Sequence, residues 1–269
     1  MHKKIKLLIT IIFLTNSFLF AQDLELENIF KNKQVDGTIV IESLNTKKIY
    51  IYNNKRAEMI FSPASTFKIP NTLIALNEGV ITKNSLILWD NKIRDYEFWN
   101  KNQTLQSAFK TSCVWCYQEF ALKVGIEKYE KYLKSLNYGN KNIGNDVTRF
   151  WLDESLKITT FEQIKFLKRL YTNDLPFKIE DINTLKEIMI DEKNEDFIIR
   201  AKTGWEGKYG WYVGFVETKN DVWFFATNID TKSKDDLIKR KEITLEALKI
   251  KLYNLPLKLL VFGVIKNLL

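Results

Sequence analysis

The 269-residue chain holds a single histidine, His2, and that one falls at the head of an N-terminal apolar stretch. The rest of the chain therefore cannot run Ser-His-Asp or Cys-His catalysis, and it lacks the imidazole ligands of most catalytic zinc sites. A nucleophile here must be activated by a carboxylate, a lysine or a metal bound through oxygen. Cysteine is nearly as scarce, with only Cys113 and Cys116, spaced C-x-x-C. The βαβ surroundings of a thioredoxin-like redox motif are missing around them. Side chains at i, i+3 of a helix seldom meet bridge geometry, so two buried thiols are expected in preference to a local disulfide. Four prolines and ten glycines are too few for a disordered hinge. Lysines and arginines are interspersed with acidic residues along the chain, which excludes a nucleic-acid-binding arm.

What is present begins with Lys3, Lys4 and Lys6 ahead of an apolar run from Leu7 to Phe20, closed by the small residue Ala21. This pattern reads as a secretory signal peptide over residues 1–21, too short for a stable membrane span and cut near Ala21. Removing those three lysines takes the basic count from 41 to 38 against 33 acidic residues, a balance of +5. With 45% apolar residues, residues 22–269 can bury one large core.

Strand signals gather at the two ends of that domain. Gly37 to Asn53 contains two β-rich runs around a turn at Asn45-Thr46, and further strands are expected over Asp196–Gly204, Gly210–Glu217 and Asp221–Asn228. Most of residues 64–190 reads helical, with a capping box at Thr160 and Gln163 and an apolar face of Phe161, Ile164, Leu167 and Leu170. Another helix begins near Asp235. The expected fold class is α+β: a central antiparallel sheet flanked by helices, with an inserted all-helical subdomain at roughly 78–190.

Three short motifs carry chemistry. In "FSPASTFKIP", Ser65 and Lys68 are three residues apart, close enough on a helix to touch, and the helix N-terminus favours a developing alkoxide at Ser65. Pro70 removes an N–H early in that helix. Ser112 opens the helical stretch in "TSCVW", where it can serve as a cap. Lys202-Thr203-Gly204 ends a strand, offering a cation, a hydroxyl and a close-approach backbone to an anionic, peptide-like ligand.

S-x-x-K, a second serine motif and K-T-G, in that order, resemble the penicillin-recognising serine enzymes. Together with Tyr138-Gly139-Asn140, "FWLDESLKIT" (residues 150–159), "WDN" (89–91) and "YQEFALKVGIEKYEKYL" (117–133), they make residues 37–240 similar to class D β-lactamases, the oxacillinases. The resemblance implies a β-lactam substrate, no metal, and Ser65 as the nucleophile of an acyl-enzyme. It also implies Lys68 carried as a carbamate, N6-carboxylysine, made from carbon dioxide with no other cofactor.

By the same resemblance, Phe67, Val114, Trp151 and Leu152 surround Lys68, and Trp151 donates to the carbamate. Val114 stands where penicillin-binding proteins usually have an amide, and its loss leaves the lysine in apolar surroundings that favour the neutral amine. The backbone N–H groups of Ser65 and Trp205 make an oxyanion hole, with tryptophan standing where phenylalanine is common. Ser112, beside Lys202, passes a proton to the leaving nitrogen, while Lys202, Thr203 and Arg240 hold the substrate carboxylate. The rival readings are a β-lactam sensor and a D-alanyl-D-alanine peptidase, both of which acylate and deacylate slowly. Export implies a periplasmic enzyme without nucleic-acid partners. A homodimer is left open, and the apolar tail from Leu255 to Leu269 is read as a packed helix or a membrane-surface contact.

Overall fold

The computed structural model describes residues 23–252, so the signal-peptide reading of residues 1–21 and the tail reading from Leu255 onward lie outside the described residues. A six-stranded antiparallel sheet forms the centre. Its strands are β1 (Gly37–Ser43), β2 (Ile49–Tyr52), β5 (Ile190–Lys193), β6 (Phe197–Trp205), β7 (Tyr209–Thr218) and β8 (Val222–Asp230), in the order β2-β1-β8-β7-β6-β5. The last strand returns beside the first, Val40 opposite Ala226, which closes strands from both ends of the sequence into one sheet. This is the expected α+β class.

The inner strands β1, β7 and β8 read as largely apolar runs because both faces of the sheet are covered there. Ile39 and Ile41 face a layer containing Leu26, Phe30, Ile243 and Leu248, from helices α1 (Leu24–Lys33) and α9 (Leu237–Lys251). Val40, Trp211, Val213 and Phe215 face the opposite, larger helical layer. There, α7 (Thr160–Tyr171) lies across β1, β7 and β8.

At the centre of that layer is α3 (Lys68–Asn77), in which all residues from Lys68 to Leu76 are buried. A helix buried on all sides is a core helix, and this one packs against α5 (Val114–Val124) and α8 (Ile179–Ile188). The short α2 (Asn54–Ala57) follows β2, and α6 (Ile126–Leu136) follows α5. A two-stranded ribbon of β3 (Leu86–Ile87) and β4 (Gln103–Thr104) precedes α4 (Leu105–Lys110).

Several local expectations are corrected. The helical reading of residues 64–190 fails over residues 78–104 and 137–159, which hold no α-helix. Asparagine, aspartate and glycine are frequent in both stretches, and their side chains and backbone freedom favour turns. The capping box of α7 is one residue earlier, with Thr159 as N-cap paired to Glu162. Strand β5 went unread because its sequence, IDEK, carries the charge of an exposed sheet edge. Pro70 is accommodated because a 3-10 turn over Ala64–Phe67 precedes α3, putting the proline in its first turn.

The motif Tyr138-Gly139-Asn140 fastens the irregular segment 137–159. The Asn140 N–H donates to Lys157 O (2.9 Å), and its side chain accepts from Lys157 N–H (3.0 Å) and donates to Ser155 O (2.8 Å). Phe61 and Ile158 exchange backbone hydrogen bonds of 3.0 and 2.9 Å, tying the segment's end to the approach to α3. Gly139 has φ +51°, and a Cβ there would lie 2.1 Å from the Lys157 carbonyl oxygen. Gly139→Ala is therefore expected to cost roughly 1–3 kcal/mol in urea unfolding. An unchanged midpoint would show that the segment does not need this close approach.

Candidate active site

Ser65 lies in the 3-10 turn and Lys68 is the first residue of α3, so the two side chains fall on one face, and Lys68 Nζ donates to Ser65 Oγ at 3.2 Å. The turn is forced. Ala64, immediately before the serine, has φ +47°, a left-handed conformation that a non-glycine residue holds only under constraint from its surroundings. Part of that constraint comes from Trp211, whose indole N–H donates to Ser62 O at 2.9 Å. More comes from Gly204, where a Cβ would meet Pro63 O at 2.9 Å and Thr66 N at 3.1 Å. Only glycine lets β6 approach the serine turn this closely.

Ser65 retains 7% exposure and Lys68 only 1%. Burial is the cause that pushes the Lys68 ammonium down from its ordinary 10.5 to about 7. Its surroundings are aromatic: Nζ is 4.7 Å from the centre of the Tyr117 ring. Phe67 stacks on Trp151 with ring centres 5.8 Å apart. Trp151 is held by its own carbonyl, which accepts from Ser62 Oγ at 2.8 Å. Its indole N–H is buried and has no hydrogen-bond partner among the described residues. An orphaned buried donor is costly in a native protein and marks a place where an acceptor is missing.

The second serine faces the third motif. Lys202 Nζ donates to Ser112 Oγ at 2.5 Å and to Thr203 O at 3.0 Å. Burial first, and then the charges of Lys68 and Arg240, hold the Lys202 ammonium well below its ordinary 10.5. Arg240, on α9, is 6% exposed and donates through Nη1 to Gly204 O at 2.9 Å, while its Nε is unpartnered among the described residues. Burial takes its guanidinium down to about 10. Lys202 and Arg240, two basic side chains, thus converge on one cleft with no carboxylate as a hydrogen-bond partner among the described residues, which makes it a receptor for an anion.

That cleft, of about 140 Å³, is lined by Ser65, Ser112, Val114, Leu152, Thr203, Gly204, Trp205 and Arg240. Phe67, Lys68, Trp151 and Lys202 are buried at its edge. Tyr138 lies behind the site, edge-on to Phe67 at 5.7 Å, and Gly139 and Asn140 fasten the segment that carries Trp151. The Trp205 side chain is anchored by its indole N–H on Thr231 Oγ1 at 3.0 Å. The aromatic rim of Tyr96, Phe98 and Trp99 went unread from the sequence, although the run "YEFW" in a polar stretch was its signal.

Two expectations about the second motif are corrected. Ser112 is not a helix cap: it has φ +54°, and the N-cap of α5 is Cys113. Cys113 and Cys116 are joined in a disulfide, with Cα atoms 5.5 Å apart. The objection from helical spacing does not apply, because Cys113 sits outside the helix with extended ψ and its side chain swings back over the first turn.

Residues 32–249 match the family described as penicillin binding protein transpeptidase domain. Among curated proteins, β-lactamase OXA-20 of Pseudomonas aeruginosa is 44% identical over 218 residues, covering 80% of this chain and 82% of that protein. β-Lactamase OXA-48 of Klebsiella pneumoniae is 43% identical over 225 residues, covering 82% and 85%. Among solved structures, FUS-1 (OXA-85), a class D β-lactamase from Fusobacterium nucleatum subsp. polymorphum, superposes with a TM-score of 0.84 at 39% identity. That match covers 86% of this chain and 98% of the other.

The lowered Lys68 value has a measurable consequence. Between pH 7 and 10.5 the unfolded chain binds a proton at Lys68 that the folded chain has released, so stability rises with pH across that window. Lys68→Met should therefore be more stable than wild type near pH 7 in buffer free of carbon dioxide. The gap should narrow by up to about 1.4 kcal/mol per pH unit as pH rises. A gap constant with pH, in urea unfolding of both proteins, would place the Lys68 ammonium at its ordinary value.

Proposed function

The chain belongs to the class D serine β-lactamases, hydrolases that act on β-lactams, and from that premise we propose that Ser65 opens the lactam as an acyl-enzyme with the carbamylated Lys68 side chain as its base. The observation that carries the reading is the pairing of a buried amine, pushed down to about 7, with the orphaned Trp151 indole N–H in the same aromatic pocket. Only a neutral amine combines with carbon dioxide, and a buried donor without an acceptor suits the carboxylate that results. The residues present therefore fit the group: Trp151 and Ser65 would hold it, and Phe67, Val114 and Leu152 would keep water from stabilising the protonated lysine. When bound, the carbamate supplies a carboxylate base beside Ser65, where no acidic side chain lines the cleft among the described residues.

The remaining work falls to the chain's residues. The Ser65 proton leaves toward the Lys68 side chain, and Oγ attacks the lactam carbonyl. The backbone N–H groups of Ser65 and Trp205, brought together by the close approach at Gly204, receive the oxyanion; a donor of this kind is worth about 3–4 kcal/mol. Ser112, hydrogen-bonded to Lys202, passes a proton to the departing ring nitrogen. Lys202, Thr203 and Arg240 grip the substrate carboxylate through charge-assisted hydrogen bonds. Water then attacks the ester on the side of Lys68.

The disulfide supports export, because such bridges persist in oxidising compartments. We accordingly read residues 1–21 as a cleaved signal peptide and residues 22–269 as one periplasmic catalytic domain whose helical part spans roughly 78–190. Among the described residues no helix is long and apolar enough to cross a membrane. Hydrolysis of β-lactams there would confer resistance on the cell.

Time-resolved mass spectrometry after addition of a penicillin tests the reading. Wild type should show an adduct on Ser65 that forms and disappears within seconds. Trp151→Ala should form the adduct and keep it, since the water-activating base is lost while Ser65 still attacks. An adduct lasting hours on wild type would favour the sensor or peptidase reading.

A further inference from the structure

Ser112 stands at the junction of two helices and is gripped from both sides. Toward α4, its N–H donates to Phe109 O at 3.2 Å, and the Cys113 N–H donates to Ala108 O at 2.9 Å. Toward α5, Cys113 is the N-cap: its Sγ accepts from the Cys116 N–H at 3.3 Å and is bonded to the Cys116 sulfur. Both cysteines are fully buried. Cysteine is absent from the residues that normally cap helices, so here a covalent bond takes the place of a good cap.

The ring closed by this bridge spans only four residues, and loop-closure stabilisation shrinks with loop length. Its contribution is therefore local, and the residue it abuts is Ser112, with φ +54°. A side-chain-bearing residue persists in that region only when its surroundings hold it there. The same turn is braced against the rim of the cleft. The Trp115 indole N–H donates to Trp99 O at 3.0 Å, and the Trp99 indole N–H donates to Thr111 O at 2.9 Å.

We propose that the Cys113–Cys116 disulfide is a positioning element for acylation: it holds Ser112 Oγ against Lys202 Nζ, so that proton delivery to the leaving nitrogen requires the oxidised bridge. The proposal rests on the catalytic reading above and adds a redox dependence to it. Reduction by a dithiol breaks the S–S bond, two electrons and two protons pass to the cysteine sulfurs, and the dithiol leaves as its own disulfide. The α5 cap is then only a thiol, and the left-handed turn at Ser112 loses one of its two anchors.

The test measures single-turnover acylation and deacylation with one penicillin on four proteins: wild type, Cys113→Ala/Cys116→Ala, Ser112→Ala and the triple variant. Loss of the bridge should slow acylation on the order of ten- to a hundredfold, the scale of a misplaced catalytic group, and leave deacylation unchanged. The triple variant should be no slower than Ser112→Ala, because the bridge acts only through that serine. Wild-type acylation in the double variant overturns the proposal, as does a loss in the triple variant that multiplies the Ser112→Ala loss. Should the double variant not fold, wild type refolded with and without dithiothreitol, its thiols counted by mass after alkylation, gives the same comparison. The reduced protein should acylate slowly and recover on oxidation; equal rates in both forms overturn the bridge's role alone. No acylation of Ser65 by oxidised wild type overturns the β-lactamase mechanism and this proposal with it.

Discussion

The burial of one amine governs this site. Placing an ammonium at the N-terminus of a buried helix sets its desolvation cost against the rest of the fold, and burial lowers the amine's hold on its proton to about 7. The arrangement around Lys68 follows from keeping it dry. α3 is the central helix of the larger core, Phe67 and Trp151 stack beside its first residue, and the Tyr138-Gly139-Asn140 turn clips the segment that delivers Trp151. The left-handed Ala64 and the missing Cβ of Gly204 are the local strain and close contact that bring Ser65 to the amine.

The sheet sets the second constraint. β6 runs alongside the serine turn and carries Lys202, Thr203 and Gly204 in register with Val213, Tyr212 and Trp211 of β7. α9, packed on the far face, reaches round to place Arg240 on the Gly204 carbonyl. Lys202 and Arg240 share the cleft, and the cost of holding two basic groups together is relieved when an anion arrives. Cations that raise one another's cost in the empty site favour binding of a carboxylate.

Much of this was legible because the chemistry is local in sequence. Ser65 and Lys68 are one helical turn apart, and Lys202, Thr203 and Gly204 are consecutive, so spacing alone joins them. The missing histidine then left lysine as the base to consider. Strand periodicity located β6, β7 and β8 to within two residues, since each run is flanked by turn residues. What was illegible depends on three-dimensional closure. The aromatic rim at Tyr96, Phe98 and Trp99 sits in an irregular stretch with no period to follow. The cysteine bridge hinged on whether Cys113 is inside or just outside a helix, a one-residue difference that composition does not encode. The left-handed turns at Ala64 and Ser112 involve residues that spacing rules place in ordinary helix.

The central claim is the proposal that burial favours the neutral amine of Lys68 so that it can bind carbon dioxide. Carbon-13 NMR of the protein in labelled bicarbonate tests it most directly. A carbamate resonance should appear in wild type, strengthen as pH rises through about 7, and be absent from Lys68→Ala. A wild-type spectrum without that resonance at any pH, or one in which Lys68→Ala retains it, would contradict the account.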